Sequence, residues 1–248
     1  TENDNMAIGY NALGGPISGG EYNIAIGNYS LDANTSGDYN VAVGYNSLTA
    51  NTAASYVTAL GGNALKANTT GSGNTAVGTN AMESNTTGAS NTVMGWNALV
   101  TNTTGSNNLA MGVNTMFYNT TGYKNVALGD YGLWSNTEGM ENVAISGNSS
   151  LYKNTTGSQN IAIGAASLYN NETGNYNIAI GRSSLYSNTA SNNVGIGHES
   201  LKSNTTGYRN VALGYHGLWS NTEGMENVAI SGNSSLYKNT TGKQNVAI

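Results

Sequence analysis

The residues able to do chemistry are few and scattered. Two histidines, thirteen acids and eight basic residues, with no cysteine, are spread over 248 positions. A Gly-x-Ser-x-Gly nucleophile elbow, a phosphate-cradling Gly-rich loop with Lys, and His-Glu-x-x-His are all missing, so acyl, phosphoryl and metalloprotease chemistry find no foothold. His198 and His216 occupy different positions of neighbouring repeats, which argues against a zinc site within one chain; only three copies around an axis would gather like histidines. Glu138 with Glu141, and Glu223 with Glu226, lie in Thr-Glu-Gly-Met-Glu turns and could offer carboxylates to calcium, but calcium wants six to eight oxygens, roughly, and solvated turn residues are the plainer reading. The expectation is a chain that is not an enzyme, with no catalytic residues, no metal and no cofactor. One chemical pattern does stand out: Phe117, Trp134, Tyr152, Tyr169, Tyr186, Trp219 and Tyr237 recur at one outward position, interrupted by Lys202. Such a stripe suits stacking on a sugar or another apolar ligand. It equally suits a ladder of neighbours that stiffens the fold.

What positions these rings is a short motif repeated fifteen times. Its core is Asn-Val/Ile-Ala-Ile/Val/Leu/Met-Gly, as in Asn23-Ile24-Ala25-Ile26-Gly27 and Asn177-Ile178-Ala179-Ile180-Gly181, and copies recur every 17 residues with occasional steps of 16 or 18. A fixed short period marks a solenoid, in which each repeat buries its apolar side against its neighbours. With Asn as position 1, Gly stands at 5, Leu or Met at 9, and Asn-Thr-Thr-Gly usually at 12–15. Period-2 alternation makes positions 2–4 a strand, Gly at 5 a turn, the stretch around Leu at 9 a second short strand, and Asn-Thr-Thr-Gly a return turn with its Gly at positive φ. The Asn columns at 1 and 12 should form amide ladders. The fold class expected is therefore all-β, a repetitive parallel β-solenoid of the β-roll kind. The whole of 1–248 reads as a single array, its last coil incomplete, cut from a longer fibre.

Position 3 is the most uniform column. With the large aliphatics of positions 2 and 4 turned inward beside Leu at 9, it should lie on the opposite face. There it is Ala25, Ala42, Ala59, Ala76, Ala110, Ala127, Ala144, Ala162, Ala179, Ala212 and Ala229, among others, and never polar. A small, apolar outer column implies a surface packed against another copy of the chain, so these alanines are the expected homotrimer interface.

Composition removes other classes. Charged residues make up only 8% and the net charge is −5, which leaves no basic stripe for nucleic acid. No apolar run reaches membrane-spanning length, so no membrane insertion is expected. Residues 122–163 recur almost verbatim at 207–248, an offset of five 17-residue coils, as expected of an array that grows by block duplication.

The Asn-Val-Ala-Ile-Gly core resembles the head repeat of YadA-like trimeric adhesins. With Asn-Thr-Thr-Gly before it, the repeat is also similar to those of trimeric phage-tail and bacterial surface fibres. That resemblance covers essentially the whole chain and implies a left-handed β-roll in a homotrimeric fibre. It further implies an extracellular place on a bacterial surface or phage-like particle, and a structural or adhesive role towards a host-surface glycan or protein receptor. A monomeric ice-binding solenoid is the alternative, and a glycan-cleaving tail spike comes third.

Overall fold

The computed structural model describes residues 4–16 and 18–248, and every regular element among them is a short parallel strand. The chain divides into two compact units, Thr1–Lys124 and Asn125–Ile248. The first contains β1 (Met6–Ile8), β2 (Ile24–Ile26), β3 (Val41–Val43), β4 (Thr58–Leu60), β5 (Thr75–Val77), β6 (Thr92–Met94) and β7 (Leu109–Met111). The second contains β8 (Val126–Asp130), β9 (Val143–Asn148), β10 (Ile161–Ile163), β11 (Ile178–Ile180), β12 (Val194–Ile196), β13 (Val211–Tyr215), β14 (Val228–Asn233) and β15 (Val246–Ala247). Within each unit every strand pairs with the next in sequence, in register: Ile24 opposite Val41, Ala25 opposite Ala42, Ile26 opposite Val43. Each unit is thus a β-solenoid with one strand per coil. Where Ser146-Gly147 and Ser231-Gly232 carry an extra residue, the pairing skips from Leu128 to Asp130 and from Leu213 to Tyr215, so the insertion is absorbed as a bulge.

The second strand anticipated around position 9 is absent among the described residues. Positions 6–11 form a run of tight turns in which positions 7 and 9 are both left-handed, as in Asn46 (φ 55°) and Leu48 (φ 54°), or Ser183 (φ 55°) and Leu185 (φ 51°). A third left-handed residue precedes each Asn of position 1, as at Tyr39 (φ 55°) and Glu141 (φ 56°). Non-glycine residues in this region cost about 1–2 kcal/mol each, so the coil persists only because its stacked neighbours fix it. The two glycine columns have different reasons. Gly27 at position 5 needs glycine twice over, for its φ of 130° and because a Cβ would come within 2.5 Å of the Gly44 carbonyl oxygen. Gly71 at position 15 is not left-handed; its Cβ would collide with the Gly88 carbonyl and the Asn68 side chain.

The interior reverses the expected facing of the strand. Ala25, Ala42, Ala59, Ala76, Ala110, Ala127, Ala144, Ala162, Ala179, Ala212 and Ala229 are each fully buried within their own chain, so they cannot form a surface between chains. Positions 2 and 4 face outward instead. The reason is space. A Cβ built on Gly132, at position 8, would touch the Ala127 Cβ at 3.5 Å, and one built on Gly195, at position 3, would meet the Ser184 Oγ at 2.6 Å. Positions 3 and 8 therefore meet across the coil, and the gap holds Ala, with Val93 and Gly195 as the departures, against Ser, Ala, Gly or Thr. Leu at position 9 fills the remaining apolar volume, as Leu48, Leu99, Leu133 and Leu168 do.

Two asparagine ladders complete the core. At position 12 the amides typically donate to the Asn of the preceding coil, Asn102 to Asn85 at 2.7 Å and Asn221 to Asn204 at 2.7 Å, and also to their own turn carbonyl at position 15; Asn68 reaches only the Gly71 carbonyl and leaves the Asn51 oxygen unpartnered. At position 1 the side-chain oxygen accepts the next Asn backbone N–H, as Asn23 does from Asn40 at 2.9 Å, while its amide reaches the carbonyl of Gly37. These groups are sealed from water, so each would cost about 1–3 kcal/mol if left unpaired. Val57 breaks the first ladder, and Asn74 compensates by donating to both Gly71 at 3.0 Å and Gly88 at 2.7 Å.

Candidate functional site

Turning positions 2 and 4 outward gives each unit an uncharged strip, apolar throughout at position 4 and interrupted at position 2 by Thr58, Thr75 and Thr92 in the first unit. In the first unit Ile24 is 37% exposed, Leu60 36%, Met94 47% and Met111 37%; in the second Ile196 and Ile230 are each 37% exposed. Charged residues are absent from these two positions throughout. A parallel sheet is ordinarily covered on both faces. Here the inner face meets the turns of its own coil, and the outer face is open.

The aromatic stripe is a stack in the second unit. Trp134, Tyr152, Tyr169 and Tyr186 lie face to face with ring centroids 5.1 Å apart at each step and planes within 5–11° of parallel. Lys202 interrupts the column and sits 5.8 Å from the ring of Trp219, which stacks on Tyr237 at 5.3 Å. Phe117, in the first unit, meets Tyr118 edge-on at 4.9 Å. The spacing follows that of neighbouring strands, about 4.8 Å, so the rings cover one another's faces. What they offer outward is edges, the phenol hydroxyls and the indole rims. Beside them, Asn148, Arg182, Ser183, Tyr169 and Tyr186 line an open groove of about 310 Å³. Its hydrogen-bond donors and acceptors suit a polar ligand such as a sugar better than an apolar one.

A second aromatic column escaped the sequence reading. Tyr22, Tyr39 and Tyr56, each just before the Asn of position 1, stack at 4.9 and 5.3 Å with planes 12° and 4° apart. The signal was their 17-residue spacing, hidden because the column changes to Gly73, Ser90 and Asn107 after three members. In the second unit the same column is mainly polar, with Tyr176 its one aromatic member. Gln159 donates to Glu141 at 2.9 Å, and Glu226 accepts from Arg209 at 3.2 Å and Gln244 at 3.1 Å. The Gln244 and Arg209 hydrogen bonds hold the Glu226 carboxyl below its ordinary value. Glu141 and Glu226 are thus engaged with coil neighbours through these contacts. The two histidines, separated on sequence grounds, come together: the rings of His198 and His216 are 6.0 Å apart.

No protein-family model matches the chain, and no curated protein matches it either. No helix among the described residues is long and apolar enough to cross a membrane.

Proposed function

We propose that the chain is a shaft segment of an extracellular homotrimeric fibre on a bacterial surface or phage-like particle. The observation that carries this reading is the uncharged strip of positions 2 and 4, left open in every coil of both units. Its best cover is a second and third copy of the same chain, because only a partner with the same repeat keeps apolar residues opposite one another from coil to coil. Closed three-fold symmetry would cover all three strips without leaving an edge. Each branched side chain so covered would contribute about 1–2 kcal/mol. The alanine column is no longer the interface in this reading; its neighbours on either side are.

Cross-linking tests it directly in a chain that has no cysteine of its own. In a parallel trimer, copies of Met94 meet near the axis, so Met94→Cys should form interchain disulfides on mild oxidation, whereas the exposed Thr87→Cys should not. Equal cross-linking at the two positions, or none at either, counts against the fibre.

An adhesive role is the second part of the proposal, and the groove beside Tyr169, Tyr186 and Arg182 favours it. Because ring faces are occupied by ring faces, a receptor glycan would be held by ring edges and by Arg182 and Asn148. The ice-binding alternative loses support from the threonines of position 13, whose hydroxyls point back into the stack: Thr69 donates to the Thr86 carbonyl at 3.1 Å and Thr103 to Thr120 at 3.1 Å.

A further inference from the structure

One pair of coils in the second unit gathers three metal-ligand side chains. His198 and Glu199 follow Gly197 at positions 6 and 7, and His216 is position 7 of the next coil. His216 Nε2 lies 3.1 Å from Glu199 Oε2. A ring nitrogen of His198 completes a set in which every ligand atom is within 4.8 Å of the others, all three residues being half-buried. Tetrahedral zinc, with bonds of about 2.0–2.2 Å, separates its ligands by roughly 3.3 Å. The Glu199–His216 edge already has that length, and small side-chain rotations close the rest.

Two further observations point to a cation. His198 Nδ1 is buried and has no hydrogen-bond partner among the described residues, a costly state for an imidazole nitrogen. The carboxylate is also prepared as a one-oxygen ligand. Lys202 Nζ holds Oε1 at 2.6 Å, and Trp219 Nε1 donates to Oε2 at 3.0 Å. Outer partners that fix a ligating side chain in this way are a regular part of metal sites. The array supplies its own control, since the corresponding positions 85 residues earlier are Val113, Asn114 and Tyr131. His216 is a departure within the duplicated block, and His198 and Glu199 lie in the coil just before it, where the two sequences diverge more widely.

We infer that His198, Glu199 and His216 form a binding site for a late first-row divalent cation, zinc fitting first, with water completing the coordination. The nitrogen and oxygen donor set suits zinc, copper or nickel and not calcium. Binding replaces the 3.1 Å contact between His216 Nε2 and Glu199 Oε2 with a bond from each to one ion, and a ligating Nε2 carries no proton. The ion then clamps two adjacent coils.

The test uses the full chain without a histidine tag, since its own histidines number two. Titration calorimetry with zinc chloride should show one ion per chain, and zinc but not calcium should raise the melting temperature. His216→Tyr and His198→Val should each weaken binding by more than about tenfold. His216→Tyr places at 216 the residue type already carried at 131, so circular dichroism should find it folded. If it does not fold, the isosteric Glu199→Gln decides by the same tenfold criterion. Absence of binding at about 100 μM zinc, an equal response to calcium, or undiminished binding in the variants would overturn the site.

Discussion

The two units share one interior and carry opposite decoration. In the first, the tyrosines stack just before the Asn of position 1, and position 10 holds Lys66 paired to Glu83 at 3.5 Å. In the second, position 10 holds the Trp134–Tyr186 stack and the other column holds the Gln159–Glu141 and Gln244–Glu226 bonds. Inside, nothing comparable changes: Ala42 and Ala162, Leu48 and Leu168, and Asn85 and Asn204 are buried alike. The difference teaches that stacking brings each side chain against the same position of the next coil, where it must find a compatible partner, a matching ring or an opposite charge or hydrogen-bonding group. Interior columns are restricted by volume and hydrogen bonding, while outer columns are free to drift as long as each run agrees with itself.

The largest expected effect separates interior from exterior within one strand. Ala144→Lys should unfold the second unit, because an unpartnered charge would enter a space that admits a methyl group. Val143→Lys, one residue away and outward, should retain the β-sheet circular dichroism. Similar loss of signal from both would break the distinction between the two faces. Next come the ladders. Asn171→Ala leaves the Gly174 carbonyl and the Asn188 amide short of a partner and should cost about 2–4 kcal/mol by denaturant unfolding. Val57→Asn in the first unit should stabilise by about 1 kcal/mol, since it restores a ladder whose neighbour Asn51 now has an unpartnered oxygen.

The aromatic columns sharpen the comparison further. Tyr39→Ser and Tyr169→Ser each remove two stacked contacts, so each should cost about 1–3 kcal/mol. Should Tyr169→Ser leave the melting temperature unchanged but abolish binding on a glycan array, the second-unit column is a receptor site and not a brace. The smallest effect is acid sensitivity. Hydrogen bonding by Lys202 holds Glu199 below its ordinary value, with Trp219 adding to it against some desolvation. A depressed carboxylate stabilises the fold above the unfolded value of 4.5 and loses that contribution as pH falls through the lower folded value. Lys202→Ala should therefore lower the melting temperature slightly at neutral pH and flatten the profile below pH 4.5, the difference from the unmutated chain shrinking as the carboxyl is protonated.

Much of this was legible in the repeat. The parallel solenoid and the two asparagine ladders follow from a fixed 17-residue period, because identical residues must stack. The facing of the strand did not follow. Hydrophobic pattern alone turns Val143 and Ile145 inward, and only the narrow gap between Ala127 and the position-8 column reveals that the interior is sized for small residues, with Val93 its largest position-3 member. The turn at positions 6–11 was hidden for a related reason, since Leu at positive φ runs against local preference and is imposed by stacking. The histidine cluster was missed because positions 6 and 7 of adjacent coils approach each other through the turn, and not through sequence adjacency.

The open strip of positions 2 and 4 calls for other copies of the chain to cover it. The mass of the native protein by light scattering tests that claim most directly. A trimer, at three times 25.5 kDa and unchanged on dilution, is the predicted result. A folded species of 25.5 kDa that stays monomeric at high concentration would contradict it.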